Sequence, residues 1–315
     1  MDTSNAPTLS EWLLWPTERV AEWIGDQASP VIMGWPFNGT RRWYLTHQQE
    51  NPEAEDYLST VIGQQAELHQ MILNHGVRAI LAPGLGRINL KRGADYMKYA
   101  LSGLLRVGSE PTYQRMFEAG VRLRFYGDYA EFLDTPEYRP MLEACEEIME
   151  NTAGGDGPVI LIGLFADSAQ ETVTRLGVDF AEQHGRNPTR GELIEAYYGI
   201  PLPDLGFFVG FEQPQLFDVP LVTTGLENLY FTLNPSPSLS EQQFREILYD
   251  HLVARKAPEV DYDELSEENR ERMVRQIKAR GNTTLGLGHL DPQTGTWQPA
   301  ISQMDGFAGQ TPPTS

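Results

Sequence analysis

Trp35-Pro-Phe-Asn-Gly-Thr-Arg-Arg-Trp43 comes directly after the apolar run Val31-Ile-Met-Gly34, and the reading of this stretch decides the fold. The run has the length of a short buried strand, and residues 35–40 read as a loop that enters a helix. Gly39 lets backbone approach a ligand closely, and Asn38 and Thr40 supply short polar groups. A helix that begins near Thr40 turns its free N–H groups toward an anion. Arg41 and Arg42 add charge and forked donors suited to phosphate oxygens. On spacing alone, a turn carrying two surface arginines fits equally well.

Working outward, strands and helices alternate. Residues 55–74 have helical spacing and stop at His75-Gly76. Residues 77–81 read as a strand closed by Pro83-Gly84, 94–105 as a helix, 121–125 as a half-buried strand, 141–151 as a helix and 158–164 as a fully buried strand. A helix over 168–182 comes next, then Thr189 and Glu192 as a capping box for a short helix ending at Tyr198-Gly199. Residues 207–211 and 229–233 are strand candidates, 240–255 a patterned helix and 264–280 a polar, solvated one. Such alternation predicts an α/β fold with a mainly parallel central sheet flanked by helices. In open sheets of this kind ligands bind beyond the carboxyl ends of the strands, where the 35–42 loop belongs. There is no internal repeat or linker, so one domain is expected over 1–305. The Gly-, Pro-, Thr- and Ser-rich residues 306–315 are expected to be a disordered tail.

Charge and composition narrow the partners. Against 44 acidic residues there are 24 basic ones, a net charge of −20, which repels nucleic acid and anionic headgroups outside a local basic pocket. The single cysteine, Cys145, excludes an internal disulfide and a Cys-rich zinc site. No signal-peptide pattern opens the chain and no apolar run reaches membrane-spanning length, so a cytoplasmic protein is expected. A greasy substrate would then need a pocket.

The dinucleotide fingerprint, the P-loop, the Gly-x-Ser-x-Gly elbow, His-Glu-x-x-His and Asp-Asp-x-x-Asp are all absent. The six histidines (47, 69, 75, 184, 251 and 289) lack ligand spacing and read as surface or structural. Asp261-Tyr-Asp263-Glu264 reads as a solvated charge cluster.

The 35–43 loop resembles the Met-Asp-Gly-Asn-Gly-Arg-Trp signature of the cis-prenyltransferases, the undecaprenyl diphosphate synthase fold. It is closer to the Pro-Phe-Asp-Gly-Thr-Arg-Arg-Trp loop of their tuberculosinol synthase and kolavelool synthase branch. Further matches are Asn51-Pro52 with Asp56-Tyr57, Arg92 with Tyr96, Phe125-Tyr-Gly-Asp-Tyr129, Pro188-Thr-Arg190, Tyr197-Tyr-Gly199, Phe217-Asp218, Leu229-Tyr-Phe-Thr232 and Ile247-Leu-Tyr-Asp-His251. They carry the resemblance to about residue 255.

The resemblance implies a cis-prenyltransferase-like fold, usually dimeric, with a hydrophobic tunnel beside a diphosphate-binding loop. Branch members do not elongate chains. They take a bicyclic diterpenyl diphosphate, expel diphosphate and quench the allylic cation with water. The most specific expectation is kolavenyl diphosphate to kolavelool. Transfer of the diterpenyl group to a nucleophile such as adenosine is the alternative within this branch. A non-catalytic prenyl-lipid-binding partner of the same fold is the alternative outside it.

Carried over residue by residue, Gly39, Thr40, Arg41, Arg42 and Arg92 bind the diphosphate, Asn38, Tyr57 and Tyr96 are catalytic, and Trp43 walls the tunnel. Tyrosine is a poor base near neutrality, so positioning precedes proton abstraction as a role for Tyr57 and Tyr96. Without the resemblance, Arg92 reads as a surface residue, Tyr57 and Tyr96 as helix packing, Trp43 as core and Asn38 as a turn residue.

Three departures matter. Asn38 stands where the signature has aspartate, and Asn228 where elongating synthases have the glutamate that helps hold magnesium. An amide is a weaker ligand for a hard cation, which puts a Mg2+ requirement in question. The segment 210–217 has no arginine for a second, homoallylic diphosphate, and its Glu212 would repel one.

Overall fold

Six short apolar runs form one all-parallel sheet in a computed structural model that describes residues 6–50, 56–166, 169–256, 260–281 and 284–300. The strands are β1 (Ile32–Gly34), β2 (Ala79–Leu85), β3 (Arg122–Tyr126), β4 (Val159–Leu164), β5 (Phe207–Phe211) and β6 (Asn228–Thr232). Their order is β3-β4-β2-β1-β5-β6. A small antiparallel hairpin, β7 (Gly288–Leu290) with β8 (Trp297–Pro299), stands apart from this sheet. The expected disordered tail, 306–315, lies outside the described residues.

Helices connect the strands: α1 (Leu9–Leu14), α2 (Thr17–Gly25), α3 (Thr40–Glu50), α4 (Tyr57–Asn74), α5 (Ala94–Val107), α6 (Pro111–Glu118), α7 (Tyr129–Leu133) and α8 (Arg139–Asn151). Then come α9 (Ala169–His184), α10 (Arg190–Tyr198), α11 (Glu241–Tyr249) and α12 (Glu267–Arg280). Side chains alternate across the strands and so build two cores. Ile160, Ile162 and Leu164 of β4 face the core made with α1, α2, α4, α5, α6, α8 and α11. Val159 and Leu161 face the smaller one made with α9 and α10.

Three expectations need correction. β2 does not close before Pro83-Gly84 but runs through them to Leu85, with a register shift against β4 at that point. The carbonyl of Leu81 faces β1, where it accepts from Trp35 N–H at 2.7 Å. Pro83, two residues on, turns the same way, past the end of β1, so its missing N–H costs no ladder bond. The helix expected over 240–255 is α-helical only to Tyr249 and finishes as a π turn, Asp250–Ala254. There the Asp250 carboxylate accepts from the Tyr230 hydroxyl (2.6 Å) and from Arg255. Finally, α1, α2, α6, α7 and the β7–β8 hairpin had no counterpart in the sequence reading. The Thr8–Glu11 capping box marks the first of them, and Trp12 anchors it by donating its indole N–H to the Arg245 carbonyl at 2.9 Å.

The structural reading of the histidines holds for His69 and His75, both buried. His69 lies against Trp35 and Tyr113, and burial pushes its pKa down to about 3. The folded value is below the ordinary 6.5, so between about pH 6.5 and 3 only the unfolded chain takes up this proton. The contribution to stability is full above that window and is lost as pH falls through it. His251, pushed to about 4 mainly by burial, acts in the same direction. Urea midpoints should therefore fall steadily from pH 7 to pH 4, and His69→Gln should flatten the slope. A midpoint independent of pH over that range would refute this account.

Candidate functional site

The loop between β1 and α3 is held in place by Ser236. Asn38 N–H donates to Ser236 Oγ at 3.1 Å, Ser236 N–H donates to the Asn38 carbonyl at 3.1 Å, and the Ser236 hydroxyl donates to the Pro36 carbonyl at 2.9 Å. Gly39 has φ 74°, and a Cβ placed on it would stand 2.7 Å from the Phe211 ring and 2.9 Å from Pro235. Only glycine fits both the conformation and the space. The helix begins at Thr40 as expected, so the N–H groups of its first turn have no partner within the helix. They open toward the carboxyl edge of the sheet.

A cavity of about 830 Å³ lies against this loop, within the range of roughly 300–1,000 Å³ usual for small-molecule sites. Its mouth holds Gly39, Thr40, Arg41, Tyr57, Arg92 and Tyr96, so most of the expected site residues meet in one place. Its depth is apolar, with Leu58, Val61 and Ile62 from α4, Leu104 and Val107 from α5, and Ile162 and Leu164 from β4.

At the mouth, Thr40 Oγ1 and Tyr57 Oη are 2.7 Å apart, which ties the start of α3 to the start of α4. The guanidinium of Arg41 lies 5.3 Å from the centre of the Tyr96 ring, and that of Arg92 lies 4.8 Å from it. Tyr96 is thus flanked by two cations, and among the described residues no carboxylate pairs with either. In a chain of net charge −20 this is a local concentration of positive charge at an apolar opening.

Arg42 lines the same cavity but is already paired. Its Nη1 pairs with Glu212 at 2.5 Å and donates to the Gly295 carbonyl at 3.3 Å, with the guanidinium 4.8 Å from the Phe211 ring centre. The Glu212 charge, expected to face a ligand, is met by Arg42. Glu212 also accepts from Trp297 N–H at 3.3 Å, so the β7–β8 hairpin is fastened to the rim of the site.

Trp43 does not line the cavity. Its ring stacks on His47 one turn along α3, with 4.9 Å between centroids. Asn38 is at the mouth and exposed. Asn228 is not brought to it. As the first residue of a parallel strand it stands at the amino edge of the sheet, and its Oδ1 is 2.7 Å from His251 Nδ1. Among the described residues no group of three His, Cys, Asp or Glu side chains is set to hold a metal ion. The described donors therefore do not fit a magnesium ion held by protein ligands alone.

Three lining residues had no role in the sequence reading. Asn89, in the 3₁₀ turn Arg87–Arg92, accepts from the Tyr96 hydroxyl at 3.5 Å. Tyr99 stacks on Tyr57 with 6.2 Å between centroids, and burial, then Tyr57 and Asp56, raises the pKa of its phenol. Asp218 supplies a carboxylate from a loop whose carbonyl accepts from Tyr126. Spacing from Tyr96 signals the two on or near α5; nothing periodic signals Asp218. No helix among the described residues is long and apolar enough to cross a membrane.

A cationic mouth above a mainly apolar depth suits an amphiphile with an anionic head. No family model matches the chain. It is similar to tuberculosinyl adenosine transferase of Mycobacterium tuberculosis, 31% identical over 287 residues that cover 90% of this chain and 96% of that one. It is also similar to (+)-kolavelool synthase of Herpetosiphon aurantiacus, 27% identical over 316 residues, covering 95% and 98%. Among solved structures, a probable undecaprenyl diphosphate synthase of Campylobacter jejuni superposes with a TM-score of 0.55 at 16% identity, over 74% of this chain and 99% of that one. Lavandulyl diphosphate synthase of Lavandula x intermedia, in complex with dimethylallyl diphosphate, gives 0.58 at 12% identity, over 72% and 96%. These two likenesses show the fold, a cis-prenyltransferase sheet with its flanking helices.

Proposed function

This chain belongs to the family of tuberculosinyl adenosine transferase on the cis-prenyltransferase fold, and on that premise we propose that it is a diterpene synthase that turns a bicyclic diterpenyl diphosphate into an alcohol and diphosphate. Kolavenyl diphosphate to kolavelool is the specific reaction we favour, after the second relative. One observation carries the reading: Arg41 and Arg92 flank the mouth of a cavity whose depth is apolar.

The allylic C–O bond breaks heterolytically and its electron pair leaves with the diphosphate. Charge that develops there meets Arg41, Arg92 and the N–H groups at the start of α3. The cation is left among apolar side chains and the ring faces of Tyr57 and Tyr99. A water molecule then forms the new C–O bond, and its proton goes to the departing diphosphate. Tyr57, Tyr96 and Asn89 are suited to orient that water.

Incubation with a panel of C20 diphosphates in ¹⁸O-labelled water tests this. The expected result is an alcohol carrying ¹⁸O, with one diphosphate released per turnover. Retention of the substrate oxygen would show P–O cleavage and refute it. Running each arm with and without Mg2+ measures how much leaving-group charge the arginines carry. A second reading, transfer to adenosine, is favoured by the name of the first relative. An added-adenosine arm that yields a nitrogen-linked product would establish it. Binding without turnover would favour a non-catalytic partner.

A homodimer is proposed on the same family grounds. β6 is an edge strand whose Leu229, with nearby Leu226 and Leu233, is exposed, and light scattering at twice the 35.5 kDa chain mass is the expected reading.

A further inference from the structure

The depth of the cavity is open where side chains are small. On α5 the lining residues are Tyr96, Tyr99, Ala100, Gly103, Leu104 and Val107, one side of the helix. Ala100 and Gly103 come between the aromatic mouth and the aliphatic end, and Ala82 of β2 lines the same space.

Gly103 is the informative position. It is buried in the interior of α5, where glycine weakens a helix relative to alanine. Nothing local calls for it. Its φ is not in the left-handed range, and an added Cβ would stand 3.4 Å from Leu58 Cδ2 and 3.9 Å from Ile62 Cδ1, both ordinary contacts. Leu58 and Ile62 also line the cavity, from α4. The missing side chain therefore leaves space open beside Leu58 and Ile62 and does nothing evident for the backbone.

The geometry points to Gly103, with Ala100, as the residues that set the cavity's width for a fused bicyclic hydrocarbon over a linear chain of equal carbon number. The inference rests on the site being one for a diterpenyl diphosphate. A linear prenyl tail is slim and bends, so a methyl group added at Gly103 leaves it room. A rigid bicycle cannot thin itself, and in a close-packed apolar pocket one methylene alters discrimination by roughly tenfold or more.

The test measures binding of two probes to the full chain by calorimetry: the thiolodiphosphates of linear geranylgeraniol and of bicyclic copalol, in which sulfur replaces the scissile oxygen and slows ionisation. The wild type is expected to bind the bicyclic probe about tenfold more tightly than the linear one. Gly103→Ala should raise the melting temperature, through helix propensity, while removing most of that preference. Gly103→Leu should abolish bicyclic binding and leave the linear probe within about threefold. A wild type with no preference, or a Gly103→Ala variant that weakens both probes equally, overturns the proposal. Diphosphate release from the corresponding oxygen esters is scored separately. An intact binding preference without release would support this inference and refute the enzymatic reading.

Discussion

Arg41→Gln is expected to lower the rate of diphosphate release from a C20 diphosphate by about 10²–10³-fold, the loss usual when one preorganised donor to a developing charge is removed. Arg41 sits in the first turn of α3, beside the free N–H groups of that helix, and its guanidinium lies over the Tyr96 ring. Among the described residues it pairs with no carboxylate, so its charge is available to a ligand. For the same reason little stability should be lost, and the melting temperature should stay within a degree or two. Arg41→Lys should recover part of the rate, because it keeps the charge but loses the fork that matches two phosphate oxygens. Most of the loss should appear in kcat, since the stabilised charge grows as the bond breaks. A threefold loss or less, in a folded protein, would remove Arg41 from the ionising site.

Gly39→Ala is the second large effect expected, and it acts through shape. At φ 74° an L-residue pays roughly 1–2 kcal/mol for the left-handed conformation alone. Contacts of 2.7 Å to Phe211 and 2.9 Å to Pro235 come on top, and neither neighbour is the free end of a flexible chain. The loop must shift, carrying the start of α3 and Arg41 with it. Misplacement by about 1 Å can cost on the order of a hundredfold in rate, so turnover should be nearly lost and the melting temperature should drop by several degrees. Gly25→Ala, at the end of α2 with nothing within 4 Å of the added carbon, is the control and should change neither. Equal turnover in Gly39→Ala and the wild type would refute the role given to this loop.

The fold was largely legible because its signals are local. Apolar runs of strand length, the capping box at Thr189 and Glu192, and the stop at His75-Gly76 each depend on neighbours in sequence. Pro83 misled for a local reason with a distant answer: whether a proline ends a strand depends on whether a neighbouring strand still needs its N–H. The site divides the same way. The anion-friendly chemistry of Gly39, Thr40 and Arg41 was readable from types and spacing, while Arg92 and Tyr96 entered the candidate site only through the family resemblance. The Arg42–Glu212 pair joins positions 170 residues apart, and no periodicity announces it.

The wider set of candidate diphosphate residues came from the family resemblance; what the sequence determined by itself is the α/β class and a phosphate-friendly turn after the first strand. These come from φ preference, helix N-terminal N–H groups and the charge of adjacent side chains, all properties of short segments. Tertiary structure alone decided that Arg41 and Arg92 share Tyr96 while Arg42 is held by Glu212, that Trp43 turns away, and that Asn228 lies at the other edge of the sheet. It also decided the width of the cavity, because α4 and α5 close on each other only as far as their facing side chains allow. Direction around a helix, strand polarity and packing distance are properties of the assembled chain, and they distinguish a phosphate-friendly loop from a site.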